Sequence, residues 1–152
     1  MAKVTVNWAG KMQFVGDDGA GHRVAMDASP IYGGENQGAR PMELMLMALG
    51  GCTGIEVTHI LQKMRVSYDD LTITVEGERA ADHPKIFTHM RVVYHFQGAN
   101  IPPDKVAHAI KLADEVYCSA ANMMKTAGSI EYAFKINGQE YPYPFLKEAS
   151  GN

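Results

Sequence analysis

Thiols are the side chains in this sequence best suited to redox chemistry, and the chain has two, Cys52 and Cys118. They stand 66 positions apart, which rules out a CxxC motif and a metal site clustered along the chain. Brought together by folding, they could cycle between dithiol and disulfide. Kept apart, each would serve as a small apolar filler, the commoner role of a free cysteine. Cys52 sits in Arg40-Pro-Met-Glu-Leu-Met-Leu-Met-Ala-Leu-Gly-Gly-Cys52-Thr-Gly-Ile-Glu-Val, where Gly50, Gly51 and Gly54 strip side chains from around the sulfur. A glycine inside a helix costs about 1 kcal/mol against alanine. The cluster therefore needs a reason, either close packing of another element or access to the thiol. A reactive thiol must also ionise, which calls for a nearby cation. Arg40, at the helix entry, and Arg23, on a preceding strand, are the candidates. Glu43 and Glu56 could orient an arginine or serve as ordinary helix charges.

Other chemistry finds less support. His59 lies seven residues after Cys52 on nearly the same helical face. His83, His89, His95 and His108 follow no metal-ligand spacing, so no metal is expected. The ten methionines read as core filler rather than ligands. Neither GxxxxGK[ST] nor GxGxxG occurs, so no nucleotide and no organic cofactor is expected.

A length of 152 residues with 46% hydrophobic and 20% charged content suits one globular domain, placed at 1–138 with a C-terminal tail at 139–152. The net charge of −3 is scattered, which argues against nucleic acid or an anionic membrane as partner. No signal-peptide pattern and no apolar run near the ~20 residues of a membrane span is evident. A cytoplasmic location follows, where a stable structural disulfide is disfavoured but a transient one is allowed.

The elements that must position the thiols read as follows. Lys3–Ala9, Lys11–Val15 and His22–Asp27 alternate as strands, with a hairpin turn at Gly16-Asp-Asp-Gly19. A breaker-rich loop over 29–40 leads to Pro41, which suits a first helical turn. A long helix runs from there to about Arg65. It is apolar nearly all round and so needs cover from its own sheet and from a second copy of the chain. Strands follow over Leu71–Gly77 and Thr88–Phe96, then a helix from about Asp104 to Tyr117. Next comes a short helix through Met124 with Ser119 as a possible N-cap, then a strand at Ile130–Ile136. The order predicts an α+β fold with a mostly antiparallel sheet and a homodimer.

Tyr32-Gly-Gly-Glu-Asn-Gln-Gly-Ala-Arg40, followed by Pro41 and Cys52 eleven residues later, resembles the OsmC/Ohr family. So does Ala113-Asp-Glu-Val-Tyr-Cys118-Ser. The resemblance covers roughly residues 3–137. It implies an intertwined α+β homodimer with a long buried central helix carrying Cys52 and a second helical segment ending near Cys118. It further implies thiol-dependent reduction of organic hydroperoxides. Cys52 would be the peroxidatic thiol and Cys118 the resolving one, with an external dithiol as reductant and small apolar hydroperoxides as substrates. The residues themselves, and not the resemblance, make Arg40 and Glu43 the expected supporting site residues, a helix-entry cation and a carboxylate that could orient it. In the peroxidase branches a glutamate directly follows the proline, whereas Met42 stands there in this chain and Glu43 comes one residue later. A non-catalytic dimer binding a small apolar ligand, or a slow redox sensor, would use the same framework without rapid turnover.

Overall fold

The alternating N-terminal residues pair as an antiparallel meander, β1 (Thr5–Gly10), β2 (Gln13–Asp17) and β3 (Arg23–Met26). The computed structural model describes residues 1–144 and resolves into two compact units, Met1–Met45 and Leu46–Asn152. In the first unit the register opposes Trp8 to Phe14 and Phe14 to Met26. Because side chains alternate along a strand, Val6, Trp8, Phe14, Val24 and Met26 share one face. Val6, Trp8, Phe14 and Val24 are exposed on it.

The loop after β3 is tied down by Asp27, which is almost completely buried. Its Oδ2 accepts from the backbone N–H of Glu35 (2.9 Å) and of Gln37 (3.0 Å). These donors, Gln37 foremost, hold the carboxyl below its ordinary range. Gly34 and Gly38 are required here: a Cβ on Gly34 would lie 1.8 Å from the Ala28 carbonyl oxygen, and one on Gly38 would lie 2.7 Å from that of Ala25.

Helix α1 (Pro41–Lys63) starts at the expected proline. It ends two residues earlier than expected, with Arg65 in the left-handed region at φ 56°. By length and composition α1 would suffice to cross a bilayer, contrary to the expectation that no such run exists. Instead Leu49, Val57, Ile60 and Leu61 are buried in the protein core, while Met47 and Ile55 stay exposed on the chain taken alone.

In the second unit a four-stranded sheet has the order β4 (Asp70–Arg79), β5 (Phe87–Gln97), β6 (Ser129–Ile136) and β7 (Gln139–Tyr141). Pairs β4–β5 and β6–β7 are antiparallel, and β5–β6 is parallel. A parallel pair needs a long crossover, which is supplied by α2 (Pro103–Leu112), a π turn (Ala113–Tyr117) and α3 (Ser119–Met124). The register lines up Ile73, Tyr94 and Phe134, and Val75, Val92 and Tyr132, on one face. Tyr94, Val92, Phe134 and Tyr132 are all buried there.

Three local expectations are corrected. The helix predicted over 104–117 gives way to π geometry after Leu112. The residue capping α3 is Cys118 rather than Ser119. Part of the predicted tail is β7, folded back on β6 through Asn137 and Gly138, both at positive φ. The rest of that tail, 145–152, lies outside the described residues.

Candidate active site

The glycines beside Cys52 separate by role. A Cβ on Gly54 would stand 2.6 Å from Ile73 Cδ1, and one on Gly50 would stand 3.0 Å from Val75 Cγ2. These two glycines let α1 lie close on β4. A Cβ on Gly51 would meet nothing within 4 Å. The cluster is thus explained at two positions by packing and at the third by an open surface.

Cys52 is half-buried on α1 and Cys118 is completely buried. Both are free thiols. Cys52 lies near enough to Cys118 to act on its ionisation, although 65 residues separate them in the sequence. Cys118 is placed by the π turn, whose last bond runs from the Cys118 N–H to the Ala113 carbonyl (2.8 Å). Its Sγ then accepts from the Ala121 N–H (3.4 Å) as the cap of α3. Burial pushes the Cys118 thiol up to about 11, and the adjacent Cys52 adds to the push. The backbone N–H groups of Ala121 and Ala120 favour the thiolate but do not offset the desolvation. Cys118 is therefore held as a protonated thiol at physiological pH.

Polar groups that the sequence reading did not single out line the same region. Thr53, next to Cys52 on α1, is completely buried, and its Oγ1 hydrogen-bonds the buried Tyr94 hydroxyl at 2.5 Å. Burial raises the Tyr94 phenol well above its ordinary value despite that bond, with Cys118 and Asp114 adding to the rise. Tyr132 is likewise raised, first by burial and then by Asp114. Tyr143 is pushed up to about 12, again mainly by burial, and packs edge-on against Tyr132 at 5.9 Å. Asp114 pairs with Lys125 at 2.5 Å, and the Lys125 ammonium also donates to the Asp114 carbonyl oxygen at 3.0 Å. That clamp joins the π turn to the end of α3, on either side of Cys118. One readable signal was the strand alternation, which puts Tyr94 on the core face with Val92 and Phe96. Another was Thr53, a hydroxyl within an apolar helix.

The other two expected site residues meet each other. Arg40 caps α1: its carbonyl oxygen accepts from the Leu44 N–H at 3.0 Å. Glu43 reaches back to accept from the Arg40 N–H at 3.3 Å, as the third residue of a capping box does. The Arg40 guanidinium donates to the carbonyl oxygens of Asp27 (3.2 Å) and Gly38 (3.0 Å) and to Asn36 Oδ1 (2.6 Å). Among the described residues, no three His, Cys, Asp or Glu side chains converge to hold a metal ion.

Residues 34–133 match the family model described as OsmC-like protein. Protein YhfA of Escherichia coli is 34% identical over 131 residues, covering 86% of this chain and 95% of YhfA. A hypothetical protein from Aquifex aeolicus superposes with a TM-score of 0.79 at 28% identity, over 90% of this chain and 96% of that one. An organic hydroperoxide resistance protein OsmC from Legionella pneumophila gives a TM-score of 0.65 at 17% identity, over 89% and 96%, a likeness of fold. With the family model spanning most of the chain and YhfA aligned over nearly its full length, this chain belongs to the OsmC-like protein family.

Proposed function

We propose that the protein is a thiol-dependent peroxidase that reduces organic hydroperoxides at Cys52, with Cys118 as the resolving thiol. The observation that carries this reading is that the half-buried Cys52 lies near enough to the buried Cys118 to help hold it protonated. In the first step the Cys52 thiolate attacks the terminal peroxide oxygen. The O–O bond breaks, the substrate leaves as an alcohol after taking a proton, and Cys52 becomes a sulfenic acid. In the second, Cys118 sulfur attacks the Cys52 sulfur, the S–O bond breaks, and the thiol proton leaves with the hydroxyl as water. An external dithiol then reduces the disulfide by exchange and is itself oxidised. Arg40 and Glu43 act as positioning residues that fix the N-terminal end of the helix carrying Cys52. The fold shared with the Legionella organic hydroperoxide resistance protein favours the same substrate class.

The working form in this reading is a cytoplasmic homodimer. Exposed Trp8, Val6 and Phe14 on the meander, and exposed Ile55 and Met47 on α1, are apolar surface of the kind a second copy would cover. The test is consumption of cumene hydroperoxide, with and without a dithiol donor, by wild type, Cys52→Ser and Cys118→Ser. With the dithiol, wild type should turn over and Cys52→Ser should be inactive; without it, Cys118→Ser should consume about one equivalent and stop at the sulfenic acid. A wild type no faster than Cys52→Ser refutes the proposal.

A further inference from the structure

Thr53 and Tyr94 are buried side chains that none of the peroxidase steps yet uses. Their hydroxyls share a 2.5 Å hydrogen bond, and both residues are completely shielded from solvent. Thr53 is the chain neighbour of Cys52 on α1, and Tyr94 lies in the middle of β5, flanked by Ile73 of β4 and Phe134 of β6. The bond therefore ties the helical turn carrying Cys52 to the centre of the sheet. It does so beside two glycines, Gly50 and Gly54, that offer no side chain of their own to lock the helix against sliding. Cys118 also adds to the rise of the Tyr94 phenol above its ordinary value, so the tether is coupled electrostatically to the second sulfur.

We propose that Thr53 and Tyr94 are positioning residues for the resolving step: their hydrogen bond holds Cys52 in register with Cys118. Attack on the peroxide needs a Cys52 thiolate that the substrate can reach, and makes no demand on the position of Cys118. Disulfide formation needs two sulfurs aligned to form an S–S bond near 2.05 Å with a restricted dihedral, and misplacement by about 1 Å is enough to slow an oriented reaction about a hundredfold. The demand on position therefore falls on the second step, in which the S–O bond of the Cys52 sulfenic acid breaks, the S–S bond forms and water leaves. A threonine hydroxyl and a neutral phenol suit this task because neither ionises near neutrality and neither competes as a nucleophile with the thiols.

This inference rests on the peroxidase reading, and the experiment separates the two. Wild type, Thr53→Val, Thr53→Ser and Tyr94→Phe, all fully reduced, are mixed with one equivalent of cumene hydroperoxide. Sulfenic acid is trapped with dimedone, and disulfide is counted in the same quenched samples. Thr53→Val and Tyr94→Phe should form sulfenic acid within about twofold of the wild-type rate, while disulfide formation slows about tenfold or more and dimedone adduct accumulates. Thr53→Ser, which keeps the hydroxyl, should recover most of the disulfide rate. A general loss of packing would slow both steps and would not be rescued by serine. Disulfide formation at the wild-type rate in Thr53→Val, equal slowing of both steps, or no rescue by serine overturns the positioning role alone. A wild type that forms neither sulfenic acid nor disulfide overturns the peroxidase reading and this inference together.

Discussion

Replacing Cys118 by serine should abolish a loss of stability that sets in only at alkaline pH. In the native protein burial holds this thiol up to about 11, against an ordinary value of 9.0 for an exposed thiol in the unfolded chain. Below about pH 9 the thiol is protonated in both states, and its contribution is fully present. Between the two values the unfolded chain gives up its proton first, so stability falls as pH rises; above the native value both states are ionised and the loss is complete. At 1.36 kcal/mol per pH unit, a gap of about two units amounts to a few kcal/mol. Tyr94 and Tyr132 also resist ionisation, mainly through burial that both proteins share, with Cys118 adding a smaller part. Serine is a good N-cap, so α3 should keep its start. The assay is urea unfolding of both proteins under a strong phosphine reductant, from about pH 7.5 to about pH 11. The difference in stability between them should be flat to about pH 9 and then change by about 1.4 kcal/mol per pH unit. Parallel curves across the whole range would refute the claim that burial keeps Cys118 protonated.

Further expectations concern the loop that leads into α1. Gly34→Ala places a methyl group 1.8 Å from the Ala28 carbonyl oxygen; it should lower stability by about 3 kcal/mol or more, measured as a drop in melting temperature. Asp27 ionises below its ordinary value because it accepts from Gln37 and Glu35, so its contribution is present above about 3.8 and is lost as pH falls through the lower native value. Asp27→Asn should therefore flatten the acid limb of the stability curve, followed by unfolding below about pH 4. Glu43→Gln should retain melting temperature and hydroperoxide turnover because glutamine can still cap the Arg40 N–H, whereas Glu43→Ala should cost about 1 kcal/mol. Loss of turnover in Glu43→Gln without loss of stability would give Glu43 a catalytic carboxylate role instead.

Sequence and structure agree where one element carries its own pattern. Leu71, Ile73 and Val75 alternate with polar residues and form β4; Pro41 begins α1; the first three strands pair as a meander. Agreement falls away where the outcome depends on a neighbour that the local pattern does not contain. One π turn is too short to alter the local apolar pattern, so Val106 to Tyr117 reads as one helix, whereas bonds such as that from Cys118 to Ala113 reach five residues back. Serine is the better helix cap by propensity, yet the π turn leaves Cys118 at the cap position. The sequence offers Gly50 and Gly54 equally to packing and to substrate access, and the choice is made by Ile73 and Val75 on a strand some twenty residues away. The turn at Asn137-Gly138 is different, because that dipeptide is a strong hairpin signal and β7 could have been read from it. As for the site, the two cysteines stand out by type alone. Thr53 and Tyr94 do not, because a threonine in a helix and a tyrosine in a strand look ordinary until their hydroxyls are seen to meet.

If Cys52 and Cys118 form one redox couple, peptide mapping under non-reducing conditions will find them joined. The reduced protein is treated with one equivalent of cumene hydroperoxide and digested without reductant. The Cys52 and Cys118 peptides should be recovered as one linked species, with the chain lighter by two hydrogens and one equivalent of alcohol released. Recovery of both peptides unlinked, with Cys118 still a free thiol and Cys52 unmodified, would contradict it.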